Sequence, residues 1–175
     1  DVYRREREQS IISYDWTDIS DGTGLIGFYM TKDSASGNGI LIKPALNEKK
    51  ADLDDSEGDV DFDLSPFNLP KVIRGTAYAS VTIRTDSTST HSVTIQLKRV
   101  RDGVETNISD SISLSNSINN PPRTFALMME IPINDKYDFK RGDKLRATMS
   151  CSTCRVILQT QDNPSVVYVP FDIDR

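Results

Sequence analysis

From Leu25 onward, the apolar positions of this chain recur with a period of two. That is the spacing of a pleated strand with one dry face and one wet face. Val60, Phe62 and Leu64 alternate with Asp59, Asp61 and Asp63. The longest alternation sets Ile73, Gly75, Ala77, Ala79, Val81 and Ile83 against Arg74, Thr76, Tyr78, Ser80, Thr82 and Arg84. Residues 25–31 and 39–43 flank the turn-rich Ser34-Ala35-Ser36-Gly37-Asn38 and predict a hairpin. Asp102-Gly103 predicts a second hairpin, with Arg101 opposite Val104, Leu97 opposite Ile108 and Val93 opposite Ile112. This register sets Ile95 against Asp110, a mismatch that points to a bulge. A polar stretch over 113–120 and the stop Pro121-Pro122 precede Phe125, Leu127, Met129, Ile131 and Ile133, whose opposite face carries Ala126 and Met128. Runs over 144–151, 156–160 and 166–173 bring the expectation to about ten strands.

No helical period appears in that region, and the first ten residues interleave charges of both signs. The expected organisation is therefore a short extended or helical N-terminal arm over 1–24 and one domain over 25–175. Short strands separated by turns, without helices between them, predict an all-β fold, an antiparallel two-sheet sandwich. The strand count favours the jelly-roll type over an immunoglobulin-like one. Composition agrees, since 41 Val, Ile and Thr residues stand against 7 Ala and 6 Glu.

The net charge of −5 is local, because seven acids lie between Asp52 and Asp63 and the rest of the chain is near neutral. An acidic balance argues against a broad nucleic-acid or anionic-membrane footprint. No apolar run approaches the ~18 residues of a spanning helix. Oxygen donors at the density of Asp52, Asp54 and Asp59 could hold Ca²⁺, but counting from Asp52 the glycine falls seventh and the twelfth position is not Glu, so this is no EF-hand loop. The preferred reading is the wet face of a strand and the loop before it, and no cofactor is expected.

Cys151-Ser152-Thr153-Cys154 has neither a second pair nor more than one histidine to complete a zinc site. It reads as two reduced thiols or a local staple across a tight turn. His91, the sole histidine, reads as a solvated loop residue, and neither Gly-x-Ser-x-Gly nor a phosphate-binding glycine loop occurs. Arg141-Gly142-Asp143 spells the integrin tripeptide but reads as a turn entering a strand, and Lys98, Arg99 and Arg101 read as a solvated strand end.

Three stretches resemble jelly-roll virion proteins of tailed bacteriophages: Asp61-Phe62-Asp63-Leu64-Ser65-Pro66-Phe67-Asn68-Leu69-Pro70, Phe139-Lys140-Arg141-Gly142-Asp143-Lys144-Leu145-Arg146, and Tyr168-Val169-Pro170-Phe171-Asp172-Ile173-Asp174. The resemblance implies a non-enzymatic capsid decoration or cement protein, or a minor capsid protein, on the virion exterior. Such a protein commonly works as a homotrimer against the major capsid protein or other virion proteins, with no membrane and no specific nucleic acid. Tyr78, Ala126 and Met128 are the candidate interface residues. The alternative is a carbohydrate-binding β-sandwich module using Tyr14, Trp16, Tyr29, Tyr78 and Tyr168. A β-sandwich glycan hydrolase or lyase stands third.

Overall fold

The computed structural model describes residues 24–32, 38–42, 52–86, 88–117, 121–158 and 164–172. The expected arm, apart from Gly24, and the loop over 33–37 lie outside the described residues. Within them every element but one turn of 3-10 helix is a strand.

β1 (Leu25–Lys32) and β2 (Gly39–Ile42) form the expected hairpin, with Tyr29 opposite Ile42 and Thr31 opposite Ile40. β3 (Leu53–Asp54) leads through one turn of 3-10 helix, Asp55–Glu57, into β4 (Val60–Leu64). Val60, Phe62 and Leu64 are buried in β4, in alternation with half-buried Asp61 and Asp63. The long run expected from Ile73 is cut in two. Gly75 takes φ +110°, where only glycine is comfortable, so β5 (Lys71–Ile73) ends before β6 (Thr76–Thr85) and Gly75 lies exposed.

β7 (His91–Arg101) and β8 (Val104–Asn107) turn at Asp102-Gly103, both at positive φ (53° and 79°), as a type I′ loop requires. Arg101 faces Val104 as expected, and the Ile108 N–H donates to the Leu97 carbonyl at 3.0 Å. Beyond that point the register slips by two residues. In β9 (Ile112–Asn116), Leu114, not Ile112, faces Val93, and Ile112 faces Ile95. The slip removes the Ile95–Asp110 mismatch. Ser109 leaves the ladder, bridges to Ile133, and its buried hydroxyl accepts the Leu97 N–H at 3.0 Å. The polar stretch is thus largely strand, and the hydroxyls of Thr94 and Ser113 bond across it at 2.7 Å.

β10 (Arg123–Pro132) runs along all of β6, and β11 (Tyr137–Phe139) pairs β5. β12 (Lys144–Ser152), β13 (Arg155–Ile157) and β14 (Val166–Asp172) complete the set. One path of paired strands runs β3-β13-β6-β14-β1-β2-β4-β12-β7-β8, with β10 on the other edge of β6 and β9 beside β8 on β7. Pairing among the described residues departs from the antiparallel expectation at β2 and β4, which are parallel, Gly39 opposite Phe62. Gly39 makes this approach possible, because a Cβ there would overlap the Phe62 ring.

The buried side of every long strand feeds one core, so the sheet wraps round on itself. Phe28, Phe171, Phe67 and Phe139 form a chain of edge-to-face rings at 6.3, 6.1 and 5.4 Å through it. What remains outside is two unlike faces.

Candidate functional site

The outward face of β4, β12, β7 and β8 is closed by its own charges. Arg146, directly opposite Asp63 in the ladder, donates to it from Nε (2.7 Å) and Nη2 (2.9 Å) and reaches Glu105 from Nη1 at 2.7 Å. Lys144 adds a bond to Asp63 at 3.2 Å, and the Thr148 hydroxyl donates to Asp61 at 2.7 Å. Burial works to raise the Asp63 pKa, but the hydrogen bonds from Arg146 and Lys144 outweigh it and hold the carboxyl below its ordinary range. The Arg146 bond likewise holds Glu105 down.

The Lys98, Arg99 and Arg101 cluster is paired rather than solvated. Lys98 meets Glu105, Arg99 meets Asp138, and Arg101 grips Asp143 at 2.8–3.2 Å. Asp143 is buried, also accepts the Lys140 N–H at 2.7 Å, and has a depressed pKa: burial opposes ionisation, and Arg101 with Lys140 overcomes it. The integrin-like tripeptide is a turn, with Gly142 at φ +93°.

The outward face of β10, β6, β14, β1 and β2 is different in kind. One cross-strand row runs Glu130, Tyr78, Tyr168, Gly27, and the next runs Met128, Ser80, Val166, Tyr29, Ile42. Tyr168 lies over Gly27, where an added Cβ would come within 2.9 Å of its ring. Met128 is 61% exposed, Ile40 and Leu25 are exposed at the β1–β2 side, and Tyr29, Tyr78 and Tyr168 are half-buried. The three interface candidates all fall here, Ala126 opposite Thr82 beside Met128, with Tyr78 in the next strand. Sequence reading missed Leu25, Tyr29, Ile40, Ile42 and Tyr168 as members of this face. The signal was present: Leu25, Gly27 and Tyr29 alternate with the buried Ile26, Phe28 and Met30. Of the five aromatics considered for sugar stacking, three converge on this face, and Tyr14 and Trp16 lie outside the described residues.

The Ca²⁺ candidates are not gathered into a site. Asp54 precedes the 3-10 turn and donates its N–H to Glu57 at 2.9 Å, Glu57 bonds the fully buried Lys32, and Asp59 is exposed at the start of β4. Asp52 sits half-buried before β3. Among the described residues no group of three or more His, Cys, Asp or Glu side chains converges as metal ligands would.

His91 overturns its expectation. It opens β7 fully buried, packed edge-on to Phe125 at 5.4 Å, and neither ring nitrogen has a hydrogen-bond partner among the described residues. The polar neighbours in sequence concealed an inward-facing strand position. Cys151 and Cys154 are buried free thiols at the β12–β13 turn, and the Cys151 thiol donates to the Cys154 carbonyl at 3.1 Å.

No family profile matches the chain. No curated protein matches it either. Solved structures do share the fold. A CocE/NonD family hydrolase from Staphylococcus aureus superposes with TM-score 0.66 at 10% identity, over 85% of this chain and 36% of that one. An aminopeptidase from the marine sediment archaeon Thaumarchaeota archaeon gives 0.67 at 9%, over 85% and 37%. An α-amino acid ester hydrolase gives 0.64 at 11%, over 83% and 36%. At such identity the likeness is one of fold, and the chain spans little more than a third of each of these proteins.

Proposed function

We propose that the wrapped sheet is a two-layer jelly-roll sandwich and that the chain is a non-enzymatic structural protein acting by surface contact. In this reading it is a decoration, cement or minor capsid protein of a tailed-phage virion, self-associating through the β10-β6-β14-β1-β2 face. The observation that carries the contact reading is the inequality of the two outer faces. One spends its charges on itself; the other presents Met128, Ile40, Leu25 and three tyrosines with few charges among them. An exposed apolar patch rimmed by polar strands is the usual mark of an interaction surface. Further copies of this chain are the occupants we favour, because like subunits commonly close into symmetric rings, a trimer joining this face to a different patch of the next copy. The virion setting rests on the sequence resemblance alone.

Light scattering at low and moderate salt tests this. The chain should be a stable oligomer, a trimer on the resemblance. Met128→Lys should dissociate it, and Ser115→Lys, on the opposite face, should not. A monomer at micromolar concentration, or turnover of an ester or glycan substrate, counts against the proposal.

A second reading has its own observation. Tyr29, Tyr78 and Tyr168 on one outward face would also suit stacking against sugar rings, as the carbohydrate-binding alternative requires. Saturable retention on a glycan affinity gel, lost in Tyr168→Ala, would select it.

A further inference from the structure

Cys151 lies on the inner face of β12, one residue before its end, and Cys154 follows Thr153, a non-glycine residue in the left-handed region at φ 61°. That turn is tight and pinned. The Thr85 hydroxyl of β6 donates to the Thr153 carbonyl at 3.2 Å, and the Cys154 thiol lies 3.8 Å from the Ser92 carbonyl of β7. The Cys151 thiol donates to the carbonyl of Cys154 itself at 3.1 Å, which holds the two residues together across the turn. Their surroundings differ, however. Cys154 lines a cavity of about 260 Å³ together with Arg84, Arg155, Asp54, Asp55 and Asp86, whereas Cys151 is not part of its wall and points to the Leu53 carbonyl at 3.7 Å. A wall carrying both signs of charge suits a small zwitterion.

We propose that Cys151 and Cys154 form a redox-closing dithiol, in which Cys154 receives a low-molecular-weight zwitterionic disulfide from the cavity and Cys151 resolves it. In the first step the Cys154 sulfur attacks one sulfur of the small disulfide. A protein–ligand S–S bond forms, the ligand's own S–S bond breaks, and one ligand thiol leaves with the Cys154 proton. In the second, the Cys151 sulfur attacks Cys154, the mixed disulfide breaks, and the second ligand thiol leaves with the Cys151 proton. Two protein thiols are oxidised and one small disulfide is reduced to two thiols. Exchange of this kind needs a reachable, ionisable attacking thiol and an adjacent second one. Position supplies the asymmetry: Cys154 is part of the cavity wall and Cys151 is not. The nearby Cys151 draws the Cys154 pKa down against its burial, and the proximity of Cys154 together with burial pushes Cys151 up.

The test is native incubation of the 175-residue chain with oxidised glutathione, read by intact and peptide mass. The wild type should lose two hydrogens, keep no glutathione and resist iodoacetamide at both cysteines. Cys151→Ser, which cannot resolve the adduct, should retain one glutathione on Cys154. Cys154→Ser should take up none, and circular dichroism establishes that both variants are folded. Adduct found on Cys151 would overturn the proposal. So would two thiols that stay reduced in the native chain but are oxidised once it is unfolded in guanidinium. Should a serine variant fail to fold, timed peptide mapping of the wild type decides, since a transient adduct must appear on Cys154.

Discussion

Arg146 and Asp63 stand directly opposite each other across β12 and β4 and are joined by two nearly parallel hydrogen bonds, 2.7 Å from Nε and 2.9 Å from Nη2. Only a planar guanidinium makes this grip, and the same side chain reaches Glu105 and comes within 3.5 Å of Asp61. Arg146→Ala should cost about 1–3 kcal/mol at neutral pH, because partly buried carboxylates lose their donors. Arg146→Lys should recover only part of that. The Asp63 pKa is depressed in the folded state, so its share of stability is present above the ordinary carboxylate pKa of ~4 and fades as pH falls through the folded value. The gap between wild type and Arg146→Ala in urea unfolding should therefore narrow below about pH 4. A gap constant down to pH 2 would contradict this account.

Arg141-Gly142-Asp143 should not support integrin adhesion. Asp143 is 4% exposed and its carboxylate is held by Arg101 and the Lys140 N–H, so a receptor would have to break a formed ion pair to reach it. Cells plated on the protein should attach at background level. Attachment competed by a free Arg-Gly-Asp peptide would show the turn to open.

Gly39 and Phe62 should behave as one unit. Gly39→Ala places a Cβ in the Phe62 ring at the parallel β2–β4 junction and should cost about 1–3 kcal/mol, as overpacking does. Phe62→Leu should be destabilising alone, yet the double variant should be more stable than the sum of the two predicts by the ring's share of the clash, the Thr31 carbonyl oxygen at 2.7 Å from the added Cβ remaining in both. Chemical denaturation of the four proteins measures the coupling, and strict additivity would remove the steric explanation.

His91→Leu should not harm the fold. An imidazole with neither nitrogen hydrogen-bonded among the described residues, lying edge-on to Phe125, carries a desolvation cost that an apolar side chain of similar size avoids. We expect a gain of up to about 1 kcal/mol in urea at neutral pH. A loss greater than that would reveal a bond the ring makes in solution.

Much of the strand pattern was readable beforehand because alternation is a local property. The β1–β2 hairpin, the Asp102-Gly103 turn and the buried series of β4 and β6 follow from side-chain period and turn chemistry. The failures share a cause, which is that partners distant in sequence decided them. The two-residue slip of β9 depends on Ser109 finding Ile133, and His91 is buried because Phe125 of β10 packs against it. Residues that read as wet, Asp61 and Asp63, are instead half-buried members of an ion-paired face, since Arg146 and Lys144 arrive from β12.

What the residues determined by themselves is the kind of element, the side of each strand that is dry and where the chain turns, since φ/ψ preferences and a two-residue period act over a few residues. The tertiary structure alone decided which strands are neighbours. It therefore decided that Tyr29, Tyr78, Tyr168 and Met128 share one face with few charges, that the basic residues of the other are already neutralised, and that one of two cysteines lines a cavity. Faces and cavities are built from residues tens of positions apart, and their chemistry exists only once the sheet has wrapped.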